Sequence, residues 1–177
     1  MNVVSLTLDD LYRPLKAFIV GVTGLDPSLV IQGLPNRTAM PAAEPGFISM
    51  TAVLQSRLGT NLDTWDQTDP EADTATAELH AQVKVQLDCY GSISNSWATM
   101  LQTLLRDDVG CLALAPTCQP LYTGEPFLSP LEDSEEQYEQ RWTLEAELQY
   151  DPVTSTAPQF ADTLSATVIN VEEAYAP

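Results

Sequence analysis

Residues 137–150 constrain the fold more than any other stretch, because their polarity alternates with a period of two. Tyr138, Trp142, Leu144, Ala146, Leu148 and Tyr150 take the even positions, where only Gln140 is polar. Glu139, Arg141, Thr143, Glu145, Glu147 and Gln149 take the odd ones. Side chains on a strand point alternately to its two faces, so this is a strand with one buried and one wet face. Residues 76–90 match it in opposite phase. Ala77, Leu79, Ala81, Val83, Val85, Leu87 and Cys89 are apolar, and Thr76, Glu78, His80, Gln82, Lys84, Gln86 and Asp88 lie between them. Two long strands, each apolar on one side, predict an antiparallel sheet with helices over its apolar face, an α+β fold.

The helices are legible too. Leu8, Leu11, Tyr12, Leu15, Phe18, Ile19 and Val22 recur at helical spacing. Thr7 with Asp10 has capping-box spacing, Asp9 and Asp10 favour the positive helix end, Pro14 predicts a kink or a later start, and Gly21 and Gly24 end the run. A second helix over about 93–106 carries Trp97, Met100, Leu101, Leu104 and Leu105 on one face, with Gly110 past its end. Residues 47–58 alternate again, with Ile48, Met50, Ala52, Leu54 and Leu58 on one side of a further strand. Short strands are expected at 29–31 and 111–115. A last one over about 161–171 shifts its apolar phase at Val168 and Ile169, which predicts a bulge. Segments 32–46, 61–73 and 116–136 read as projecting loops on one domain spanning 1–177.

Charge excludes some roles. The chain has 25 acidic and 7 basic residues, a net −18. Affinity for phosphate backbones comes from Lys and Arg, so direct nucleic-acid binding is not expected, although an acidic surface lets DNA pass without holding it. Three cysteines without CxxC spacing predict reduced thiols and a cytosolic origin. No signal peptide and no membrane span are expected.

The sequence offers little catalytic chemistry and predicts neither enzyme, cofactor nor metal. The single histidine, His80, has Glu78 and Gln82 as its polar-face neighbours and no second His or Cys at ligand spacing. Glu145 and Glu147 share a strand face about 7 Å apart, a separation that two carboxylates use in glycoside hydrolysis, but Arg141 and other polar groups share that solvated face. Asp69, Glu71 and Asp73 alternate as in a calcium loop, yet lack its Gly and terminal Glu. The aromatics Tyr138, Trp142 and Tyr150 read as core.

An ordered set of stretches runs along the chain: Gln86-Leu87-Asp88-Cys89-Tyr90-Gly91 at a strand end, Pro120-Leu121-Tyr122, Gln137-Tyr138-Glu139-Gln140-Arg141-Trp142, Leu148-Gln149-Tyr150-Asp151, and Pro158-Gln159-Phe160-Ala161-Asp162. In order and spacing the chain resembles the neck or tail terminator proteins of tailed bacteriophages, especially contractile-tailed ones. The resemblance implies an antiparallel sheet of about four to five strands with two helices on one face. It also implies a ring, most often of six copies, that caps the tail tube and joins it to the head connector. Its partners would be further copies, the tail tube, a sheath protein and a head-completion protein, in the virion and, during assembly, the host cytoplasm. Genomic DNA would pass through the lumen. Charge then nominates the acids for the lumen or for docking: Asp63, Asp66, Asp69, Glu71 and Asp73, with Glu132, Asp133, Glu135 and Glu136. The alternatives are a head-completion or stopper protein one layer up, a small carboxylate-dependent hydrolase, and an acidic module that mimics DNA.

Overall fold

The computed structural model describes residues 3–33, 41–42, 44–66, 74–129, 131–132, 138–157 and 165. In chain order the elements are β1 (Val3–Val4), α1 (Leu8–Thr23), a 3-10 turn (Pro27–Leu29), β2 (Val30–Gln32), β3 (Phe47–Arg57), β4 (Leu62–Asp66), β5 (Thr74–Glu78) and β6 (Ala81–Tyr90). They continue with α2 (Ser94–Leu105), α3 (Asp108–Leu114), β7 (Gln119–Thr123), β8 (Phe127–Leu128), β9 (Leu131–Glu132), β10 (Tyr138–Glu139), β11 (Arg141–Tyr150) and β12 (Val153–Thr156).

The two alternating stretches are neighbours in the main sheet, whose order is β2-β3-β6-β11-β7 with β8 also on β11. Every pairing in it is antiparallel except β2 with β3. Trp142 lies opposite Cys89 and Leu148 opposite Val83, so the apolar halves of both strands share one face. Ala81, Val83, Val85, Leu87, Cys89, Leu144, Ala146, Leu148, Ile48 and Met50 are buried there beneath Leu11, Leu15, Phe18 and Ile19 of α1 and Trp97, Ala98, Leu101 and Leu105 of α2. Each such Val, Leu, Ile, Phe or Met side chain contributes about 1.5–3 kcal/mol through removal from water.

Helix α1 begins where its sequence predicts. The Thr7 backbone N–H and hydroxyl both donate to the Asp10 carboxylate, at 3.0 and 2.8 Å. Those bonds, the backbone one foremost, hold the Asp10 carboxyl below its ordinary range. The helix runs through Pro14 and Gly21 without ending, and Gly24, at φ 71°, closes it in the left-handed region.

Four expectations need correction. Residues 111–115 are not a strand: Asp107 caps α3, which makes a third helix and takes in Gly110. Segment 116–136 is not one loop, because β7, β8 and β9 lie in it. Leu54 leaves the face of Ile48 and Met50, because the β3 register slips between Ala52 and Leu54 and sets Leu54 opposite Lys84. One inserted residue inverts every later side chain of a strand. Residues 62–66 form β4 rather than loop. The strand expected at 161–171, with its bulge, lies outside the described residues, apart from Ser165.

The long 76–90 strand is interrupted at Leu79-His80. There β5 passes into a second sheet of order β1-β12-β5-β4. Strands β3, β6 and β11 each continue across the same level, into β4, β5 and β12 respectively, so three strands bend together. Two backbone bonds hold the bend, from Leu58 N–H to His80 O at 2.9 Å and from Leu79 N–H to Pro152 O at 3.0 Å. Beyond it, β4 is exposed along its whole length.

Candidate assembly interface

Most of the exposed large apolar side chains stand at two lateral edges. On the β3–β4 edge, Leu54, Leu58, Leu62 and Trp65 are exposed, Trp65 at 61%. Asp63 and Trp65 share one face of β4 with Ala77 and Ala75, over a shallow depression of about 210 Å³ that Thr154 and Thr156 also line. On the opposite edge, Leu121 and Tyr122 of β7 and Phe127 and Leu128 of β8 are exposed, and α3 adds Val109 and Leu112, the latter at 79%.

Local chemistry explains why the second edge stands out. The β7–β11 register slips at Glu147/Leu148, where Tyr122 pairs with Glu147 and Pro120 with Leu148, leaving Leu121 as the extra residue. Bulges and prolines are edge-strand features. Arg106 at the end of α2 fixes the strand, its Nε donating to the Thr123 carbonyl at 2.9 Å and its guanidinium lying 4.9 Å over the Tyr122 ring. Sequence reading missed this edge by taking 111–115 as a strand. The Asp107 cap followed by Val109 and Leu112 is the signal that marks a helix there.

Of the acids nominated from the sequence, Asp63, Asp66 and Glu132 lie among the described residues. Asp63 pairs with Ala77 and Asp66 with Thr74, so the two point to opposite faces of β4. Glu132 lies in β9, whose backbone pairs with β10. Asp69, Glu71, Asp73, Asp133, Glu135 and Glu136 lie outside the described residues.

The sheet face away from the helices carries further charge. Lys84 Nζ sits 2.9 Å from Glu145 Oε2 and 3.4 Å from Glu147 Oε1. These bonds, with Glu145 foremost, raise the lysine above its ordinary value. A lysine thus lies between the two carboxylates where a hydrolase would need water and substrate. On the same face Thr143 donates to Asp88 at 2.6 Å, and Phe47 stacks on Tyr90 with ring centroids 4.3 Å apart. His80 has a partner that sequence spacing did not reveal. Its Nδ1 lies 2.8 Å from Asp151 Oδ1, a bond that raises the imidazole above its ordinary value.

An α+β plate with apolar side chains along both lateral edges belongs with proteins that act by packing against other subunits; the class is a structural assembly protein. The chain belongs to the phage neck terminator proteins, whose family model matches residues 9–174. It is therefore a structural component of the phage virion, working in association with other head and tail proteins. No curated protein gave a match. Among the described residues no helix is long and apolar enough to cross a membrane.

Proposed function

We propose that six copies of this chain close head to tail into a ring that caps the tail tube and joins it to the head connector, with a lumen through which DNA passes. One observation carries the reading. The apolar surfaces of the β3–β4 edge and of the β7–β8–α3 edge differ in composition and lie on opposite sides of the plate. Rings arise from such heterologous contacts, in which one surface meets a different one on the next copy, whereas a two-fold dimer uses one surface twice. The family supplies the place, at the neck.

Charge shapes how the ring forms. Each chain carries −18, so like charges accumulate with every copy added. Association then depends on burying the apolar edges, and salt helps by screening the repulsion. The acid on the inward face of β4 and the acids of 67–73 supply negative charge for a lumen wall along which DNA slides without adhering. The chain acts by shape and interface, with no catalytic step.

Native mass measurement and negative-stain imaging of the protein, alone and with tail tubes over a range of salt, test this. Rings of about six copies, or density on one end of the tubes, are the expected result. A monomer indifferent to tubes at every salt concentration overturns the reading. Rings that dissolve as salt rises overturn the account of what holds them.

A further inference from the structure

The bend shared by the three strands brings together a donor set that no linear motif contains. Glu78 ends β5, His80 lies in the link to β6, and Asp151 lies in the link from β11 to β12. One ligand atom from each falls within 4.8 Å of the others. We propose that Glu78, His80 and Asp151 form a binding site for a divalent transition metal ion of the zinc type, which braces the bend between the two sheets.

The donor chemistry selects that class. An imidazole nitrogen beside two carboxylates suits borderline ions such as Zn²⁺ or Co²⁺, whereas magnesium and calcium favour all-oxygen sets. Two carboxylates balance the ion's charge, and the imidazole ligates in its neutral form. Zinc–ligand bonds run about 2.0–2.2 Å, so the three donors must draw in slightly around an ion. Side-chain rotation provides that closure, since the His80 and Asp151 side chains are 41% and 39% exposed. The same exposure gives an ion its way in and leaves coordination positions for water.

The backbone is already fixed. The Leu58 to His80 and Leu79 to Pro152 bonds hold both links in register. Gln149 Nε2 donates to Asp151 Oδ1 at 3.3 Å, the outer-shell support that orients a ligating carboxylate. The acidic surface raises the local cation concentration around the site. A bound ion would tie β5, β6, β11 and β12 together at the level where the projecting sheet leaves the helix-covered one. The proposal does not depend on ring formation.

The test is calorimetric titration of the metal-free full-length protein with Zn²⁺ in high salt with excess Mg²⁺, which suppresses diffuse binding to surface acids. One saturable ion per chain is expected, with a rise in melting temperature that a chelator reverses. His80→Gln, Glu78→Gln and Asp151→Asn should each weaken binding by about 10- to 100-fold or more, and Asp63→Asn, on the same projecting sheet, should leave it unchanged. Glu78→Gln keeps the His80–Asp151 bond, so it stays informative if the other variants fold poorly. The chain has one histidine, so its imidazole NMR signals report directly and should shift on metal addition. Absence of saturable binding overturns the proposal. So does binding that survives His80→Gln while the parent protein's imidazole signals stay unmoved on metal addition, which marks attraction to surface carboxylates in general.

Discussion

The Thr143 hydroxyl donates to the Asp88 carboxylate at 2.6 Å across the β11–β6 pair, and both residues are buried, at 3% and 6% exposure. Gln86 Nε2 donates to the other oxygen at 2.8 Å. Burying a carboxylate is tolerated only while its lone pairs are satisfied. Thr143→Val keeps the shape and removes the donor, and is expected to cost about 1–3 kcal/mol in chemical denaturation. Thr143→Ser should recover most of it. Equal stability of the Val and Ser variants would show that the bond contributes nothing.

Two glycines should respond in opposite directions. Gly46 has φ 104°, and a Cβ there would lie 2.6 Å from the Tyr90 carbonyl oxygen and 2.8 Å from the Trp97 ring. Gly46→Ala is expected to destabilise by at least about 1–3 kcal/mol through backbone strain alone. Gly21 lies in α1, and beyond its chain neighbours and the helix's own backbone no heavy atom comes within 4 Å of an added Cβ. Gly21→Ala should therefore stabilise, by about 0.5–1 kcal/mol. Thermal unfolding of the two variants beside the parent measures both.

Thiol chemistry should separate the cysteines. Burial pushes Cys89 up to about 12 and Cys118 up to about 11, whereas Cys111 of α3 is half-buried. The thiolate is the reactive form. At pH 8 a thiol reagent should modify Cys111 in the folded protein and reach Cys89 and Cys118 only after denaturant is added. Raising the pH to about 9.5 should not change this, since that is still below both buried values. Mass spectrometry of the labelled peptides reads the outcome; prompt native labelling of Cys89 would contradict its burial.

The ring reading separates assembly from stability. Leu112→Ser on one edge and Leu62→Ser on the other replace exposed side chains, so monomer stability should move by no more than about 0.5 kcal/mol. Either change should lessen ring formation and tube capping, and mixing the two variants should give at most short assemblies. Normal capping by both variants would remove the edges from the interface.

Lumen charge has its own test. Neutralising Asp63, Asp66, Asp69, Glu71 and Asp73 to their amides should leave capping intact and slow or jam genome delivery from reassembled particles. Normal delivery would show that these acids serve solubility alone.

Local patterning determined much of this fold in advance. The period-two runs at 76–90 and 137–150, the Thr7–Asp10 cap and the apolar stripes of α1 and α2 depend on neighbours a few residues away, so the α+β class and the buried face follow from sequence. The sequence also determined the family, through stretches spread along the chain. Tertiary structure decided the rest. Only pairing in space shows that Val53 is an inserted residue, that Leu54 and Gln55 therefore exchange faces, and that residues 111–115 complete a third helix instead of an edge strand. It also decided that Lys84 sits between Glu145 and Glu147, a relation across 61 positions for Glu145 that no spacing encodes. The His80–Asp151 contact spans 71 positions and arises because three strands bend at one level. Periodicity records which way a side chain points; it carries no record of which distant residue will be waiting there.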